Sequence, residues 1–174
     1  MEGCACAGCT GDENWQDSLL DKVKANNANY GWAVQGVAPG EEDDGPQFQY
    51  TVGLAAHDRP ELIVFGLRHD IGQTILNDLA QRVRDGEQFT AGQTLPDVFA
   101  HDYPCLLIEV IDTSEHLTVA NRLYRRTDPF GARIPVGALQ LVFQDSAHRW
   151  PWEPDSAVAD MPLLGPAPGN TNPV

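Results

Sequence analysis

No stretch of this 174-residue chain approaches the ~20 consecutive apolar residues that a membrane-spanning helix needs. Positive charge is equally scarce: 11 Lys and Arg stand against 25 Asp and Glu, a net charge of −14. Such a surface keeps a protein soluble and repels the phosphates of nucleic acid and of anionic membranes, so neither is expected as a partner. The first residues, Met1-Glu2-Gly3-Cys4, offer neither a basic nor an apolar leader. No secretory signal is read, and a cytoplasmic location is expected. A Gly-x-Ser-x-Gly nucleophile elbow and a Gly-x-Gly-x-x-Gly phosphate loop are both missing, so no residue pattern identifies a nucleophile or a nucleotide. Long linkers are absent from the first 150 or so positions, and 42% of the residues are hydrophobic. One globular domain with a single sizeable core is the expectation.

What is present reads as alternating short elements. Thr10 and Glu13 form a capping box before Trp15, Leu19 and Val23, which predicts a helix from about Asp12 to about Ala25, closed by the Asn26-Asn27-Ala28-Asn29 cluster. A strand follows from Tyr30 to Val37, with Trp32 and Val34 on one face. Pro39 to Pro46 carries Glu41-Glu42-Asp43-Asp44, which lack the spacing of a calcium loop and read as a solvated loop tip. Phe48 to Leu54 and Pro60 to Leu67 read as two neighbouring strands, and Leu62 to Phe65, apolar throughout, predicts a central strand covered on both faces. Asp70 with Gln73 starts the clearest helix, striped by Ile71, Ile75, Leu76, Leu79 and Val83 and stopped by Gly86. Gln88 to His101 is expected to be irregular. Cys105 to Ile111 predicts a strand, Thr113 or Ser114 a helix running to Tyr124, and Leu139, Leu141 and Phe143 a last strand. The class expected is α+β, a largely antiparallel sheet with about three helices packed on one face. The expected segments are a Cys-containing start (1–11), the domain (12–153) and a proline-rich tail without fixed structure (154–174).

Several segments also carry a resemblance. Cys6-Ala7-Gly8-Cys9, Gly31 to Val37, Tyr50-Thr51-Val52-Gly53-Leu54, Pro60-Glu61-Leu62, Leu139 to Val142 and Arg149-Trp150-Pro151-Trp152 occur in this order. Together they resemble a bacterial family catalogued as domain of unknown function 4262, over about Cys6 to Glu153. The resemblance implies a family and no activity. Cys4, a third early thiol, and the long loop from Thr127 to Pro135 depart from its pattern.

Candidate chemistry falls into four groups. In a reducing compartment the four cysteines are free thiols, metal ligands or redox groups. Cys4, Cys6 and Cys9, separated by small residues, can turn their sulfurs toward one tetrahedral zinc; Cys105 or a histidine would have to complete the set, and the alternative is a frayed end with free thiols. A thioredoxin-like role is disfavoured because no strand precedes the motif. His57-Asp58, His69-Asp70 and His101-Asp102 look like metal-ligating dipeptides, but they lie at loops or a helix start, where capping by Asp70 is explanation enough. Tyr50, Glu61, Glu109 and His116 form a looser acid–base set. Glu109, inside an apolar strand, must face solvent or be paired.

The fourth group comprises Arg122, Arg125, Arg126 and Arg133, which make one anion-friendly spot too small for duplex DNA, and the turn at Trp150 and Trp152, which is a stacking platform or a core plug. The resulting expectation is a small soluble binding or regulatory module for an unknown protein or a small anionic ligand. The alternative is a hydrolase-type enzyme with a carboxylate and histidine site, whose metal-dependent version would recruit the early cysteines.

Overall fold

The computed structural model describes residues 11–39, 45–100 and 103–168. Its helices are α1 (Gly11–Tyr30), α2 (His69–Arg84) and α3 (Thr118–Tyr124), with a 3-10 helix at Leu54–His57. The strands are β1 (Ala33–Val37), β2 (Phe48–Val52), β3 (Glu61–Phe65), β4 (Thr94–Leu95), β5 (Cys105–Glu109), β6 (Arg126–Thr127), β7 (Arg133–Ile134) and β8 (Ala138–Phe143). Six of them form one open sheet in the order β1-β2-β3-β8-β5-β4, and β6 and β7 form a separate hairpin. Every pairing in the main sheet is antiparallel except β3 with β8, which run parallel from Glu61 opposite Ala138 to Val64 opposite Leu141. The chain is thus α+β, as its pattern predicts. Among the described residues no helix is long and apolar enough to cross a membrane.

Helices cover both faces of the sheet, where the sequence predicts one. Leu62 and Val64 of β3, Leu107 of β5 and Leu139 and Leu141 of β8 pack against Leu76, Leu79, Ala80 and Val83 of α2. Ile63 and Phe65, alternating with them, pack with Tyr50 and Val52 against Val23 of α1 and Ala120 of α3. The physical reason is already in β3, which is buried at all five positions. A strand apolar on both sides must have cover on both sides.

Helix α1 runs five residues past its predicted end, through the asparagine cluster. The Asn27 amide donates to the Tyr124 hydroxyl at 2.5 Å, which holds the last turn against α3. Gly31, at φ 94°, then ends the helix with its N–H on the Asn27 carbonyl. The buried stripe of α1 is Leu20 and Val23, and Trp15 is exposed. Helix α3 is shorter than expected because Thr113 serves elsewhere. Its hydroxyl donates to the Val136 carbonyl, and Asn121, buried, donates to the Thr113 carbonyl while accepting the Val136 N–H.

The tail corrects the sequence expectation. Residues 154–168 lie against β5 and β8 as a series of turns: Leu163 and Met161 pack on Leu106, Ile108 and Val142, and the Ile111 N–H donates to the Leu164 carbonyl at 3.0 Å. Proline density argued for disorder. What fastens the segment is Gln140, a fully buried amide of β8 that donates to the Pro162 carbonyl and accepts the Leu164 N–H. The Asp145 carboxylate accepts N–H groups from Ala157, Arg149 and Ala147, and these bonds, that from Ala157 above all, pull its pKa down to about 2. It clips the start of the tail to the end of β8.

Candidate functional site

The two segments Tyr50–Leu54 and Pro60–Leu62 are joined by one side chain. Glu61 opens β3 and is wholly buried. One of its carboxylate oxygens accepts the Thr51 hydroxyl at 2.6 Å, and the other accepts the N–H groups of Gly53 and Ala55 at 2.8 and 3.1 Å. Thr51 Oγ1 in turn accepts the Leu62 N–H at 2.8 Å. Burial pushes the Glu61 carboxyl up to about 7, against the pull of these hydrogen bonds. The carboxylate therefore braces the turn between β2 and β3. Gly53 sits in that turn at φ 131°, and a Cβ there would lie 2.8 Å from the Gly31 carbonyl, so only glycine lets the turn close on the end of α1.

The braced turn presents His57, Asp58 and Arg59 between two cavities. The first, of about 400 Å3, is lined by Asp58, Arg59, Tyr124, Arg126 and the segment from Ile134 to Gly137. Arg126 forms an ion pair with Asp58 there. The second, of about 530 Å3, lies between the last turns of α1 and α2 and the 3-10 helix. It is lined by Asn27 to Trp32, Leu54, His57, Arg59, Val83, Arg84 and Gly86. Among the described residues no carboxylate lines it. Arg84 spends one N–H on the Tyr30 carbonyl at 3.2 Å. The half-buried Arg59 side chain has no hydrogen bond or ion pair among the described residues.

The sequence candidates are scattered around this arrangement. Tyr50 lies buried beneath α3, its hydroxyl accepting the Val119 N–H at 3.3 Å, and burial raises its pKa. Glu109 is exposed at the end of β5, and the His116 ring sits edge-on to Phe48 and Phe65 at 5.5 and 5.7 Å. Tyr50, Glu61, Glu109 and His116 thus form no common cleft. Arg122 is exposed, bonded to Gln16 at 3.2 Å, and shares a third cavity of about 500 Å3 with Tyr50. Arg125 and Arg133 are exposed. The Trp150 and Trp152 rings stack at 5.3 Å and 4°, with Trp150 packed on the sheet, while Arg149 is held by Asp145 at 3.1 Å.

Cys4, Cys6 and Cys9 lie outside the described residues, as do Glu41 to Asp44 and the His101-Asp102 pair. Among the described residues no group of three His, Cys, Asp or Glu is placed to hold a metal. Cys105, the suggested fourth ligand, is buried in the sheet, and burial pushes its thiol up to about 12. It is not available as a thiolate. The remaining histidine–aspartate pairs are split: Asp58 turns to Arg126, and Asp70 to Arg68.

Residues 26–157 match the family described as Domain of unknown function (DUF4262). The chain belongs to this family. No curated protein and no solved structure matches it. The match takes in the Glu61 brace and all the residues that line the carboxylate-free cavity. Arg59 and Arg84 are what the sequence reading passed over, and His57 entered it only as half of a metal-ligating dipeptide. The available signal was position: His57, Asp58 and Arg59 fall between the two halves of the resemblance quoted above. Arg84 carried none, because only the fold brings the end of α2 to that turn.

Proposed function

We propose that this DUF4262 chain is a binding module for a small anionic molecule, held in the cavity between α1, α2 and the Glu61-braced turn. One observation carries the reading: in a chain with 25 acidic and 11 basic residues, this cavity is lined by His57, Arg59 and Arg84 and by no carboxylate. The Arg59 guanidinium has no side-chain partner among the described residues, so its donors are free for an anion arriving in the cavity. Arg59 offers a planar fork suited to a carboxylate or phosphate. Trp32 and Tyr30 give the same cavity aromatic walls. An anionic group on a flat apolar body is the ligand class that fits.

The hydrolase alternative has less support. Glu61 faces three donors inside the fold, and none of the other acid–base candidates is among its hydrogen-bond partners.

Phenyl phosphate and benzoate, titrated into the full chain and followed by the indole signal of Trp32, test the proposal. Saturable binding is expected, weakened about tenfold or more in Arg59→Gln, since a charge-assisted hydrogen bond contributes roughly 1.5–3 kcal/mol. Failure of both probes to bind at millimolar concentration, or equal affinity in Arg59→Gln, would refute it.

A further inference from the structure

The main sheet is open, and its two edges differ. At one end β4 is only two residues long, Thr94–Leu95, and a short edge strand offers little to pair with. At the other end β1 presents five residues, Ala33–Val37, without a charged residue or a proline to block pairing. In a chain of net charge −14, no residue from Ala25 to Gly40 is charged.

One hydrogen bond fixes which backbone groups of β1 face outward. Gly66 donates its N–H to the Gln47 carbonyl, so Gln47 and, two residues on, Gln49 turn their backbone groups to β3. Phe48 and Tyr50 therefore turn to β1, where they stand opposite Val37 and Gln35. Val34 and Gly36 are left with their N–H and C=O groups pointing away from the sheet. No backbone group among the described residues meets them there. The Gly36 carbonyl accepts only the side-chain amide of Gln35, at 2.8 Å.

The strand is also complementary to itself. Laid antiparallel on a second copy about Gln35, it sets Val34 opposite Gly36 and Ala33 opposite Val37, a larger side chain against a smaller one each time. The first pair lies on the α2 face of the sheet and the second on the face of α1 and α3. A Cβ at Gly36 would come within 2.9 Å of the His69 ring, so the small member of the first pair is fixed by this chain's own packing.

We propose that β1 pairs with β1 of a second copy of this chain, joining two open sheets into one across a two-fold axis. Each Val34 exchanges both backbone bonds with Gly36 of the other copy. The two Gln35 amides face each other at the axis and bond to one another in place of the Gly36 carbonyl. The uncharged stretch from Ala25 to Gly40 lets two acidic chains approach along this edge.

Sedimentation of the full chain tests the proposal. Wild type is expected to be a dimer at submillimolar concentration. Gln35→Glu and Gln35→Arg each set like charges opposite one another at the axis and should weaken the dimer about tenfold or more, while an equal mixture of the two variants should recover it as a heterodimer. Val34→Pro removes an outward donor and no bond to β2, so a folded monomer is expected. A monomeric wild type, a dimer that any of these variants leaves intact, or a mixture of the charged variants that stays monomeric would overturn the proposal. The charge pair decides it even where Val34→Pro fails to fold, since misfolding is not repaired by mixing.

Discussion

Replacing Glu61 by alanine should cost roughly 3–5 kcal/mol of folding stability, since each stranded buried donor costs about 1–3 kcal/mol. That is a large part of the ~5–15 kcal/mol that holds a domain of this size together. The substitution removes one acceptor group and strands three donors, the Thr51 hydroxyl and the Gly53 and Ala55 N–H groups, at the junction of two central strands. Glu61→Gln keeps the shape and one good acceptor oxygen, but its amide NH2 must face donors on one side. An intermediate loss is expected there. Denaturant midpoints at unchanged slope measure both. A Glu61→Ala chain as stable as wild type would mean that the carboxylate does not brace the turn.

Glu61 also sets a pH dependence with a definite sign. Its carboxyl titrates near 7 when folded against an ordinary value of 4.5, so between these values the folded chain binds a proton that the unfolded chain releases. The stability this proton contributes is complete below pH 4.5 and is lost as pH rises through 7. A shift of this size corresponds to about 3 kcal/mol. Melting temperature should therefore fall between pH 5 and pH 8 in wild type and stay flatter in Glu61→Gln. A parallel decline in both chains would assign the effect to other groups.

The sheet was legible because its information is local. Four consecutive apolar residues, Leu62 to Phe65, marked β3 as central, and the alternation from Cys105 to Glu109 placed Leu106 and Ile108 opposite Cys105 and Leu107. The stripe of α2 could be counted off directly. The extra turns of α1 were not legible, since Asn27 is kept helical by Tyr124, 97 positions away. The role of Glu61 was hidden for a different reason: its partners are two backbone N–H groups and one hydroxyl, and sequence treats a carboxylate as a candidate acid until its donors are seen. The cavity at Arg59 gathers Asn27, His57 and Arg84 from three separate elements. The common sign of Arg59 and Arg84 becomes visible only when the fold sets them around one space.

Ending the chain at Asp160 is expected to be the other severe change, because the tail's proline content conceals a structural role. Gln140 lies in β8 with 0% exposure, and both ends of its amide are spent on tail backbone, the Pro162 carbonyl and the Leu164 N–H. Truncation removes both partners of that amide and uncovers Leu106, Ile108 and Val142, which Met161 and Leu163 shield. An uncovered apolar side chain costs roughly 1.5–3 kcal/mol. A loss of about 4 kcal/mol or more follows, with self-association through the bared patch. Gln140→Leu separates this account from a generic loss of chain. In the full-length protein it should destabilise, by stranding the Leu164 N–H and the Pro162 carbonyl. In the truncated protein water reaches the amide, so the same substitution should cost little. That loss of effect arises only where the tail and Gln140 are coupled; a truncated chain with the wild-type melting temperature, or the same effect of Gln140→Leu in both lengths, would show that the tail lies against the sheet without holding it.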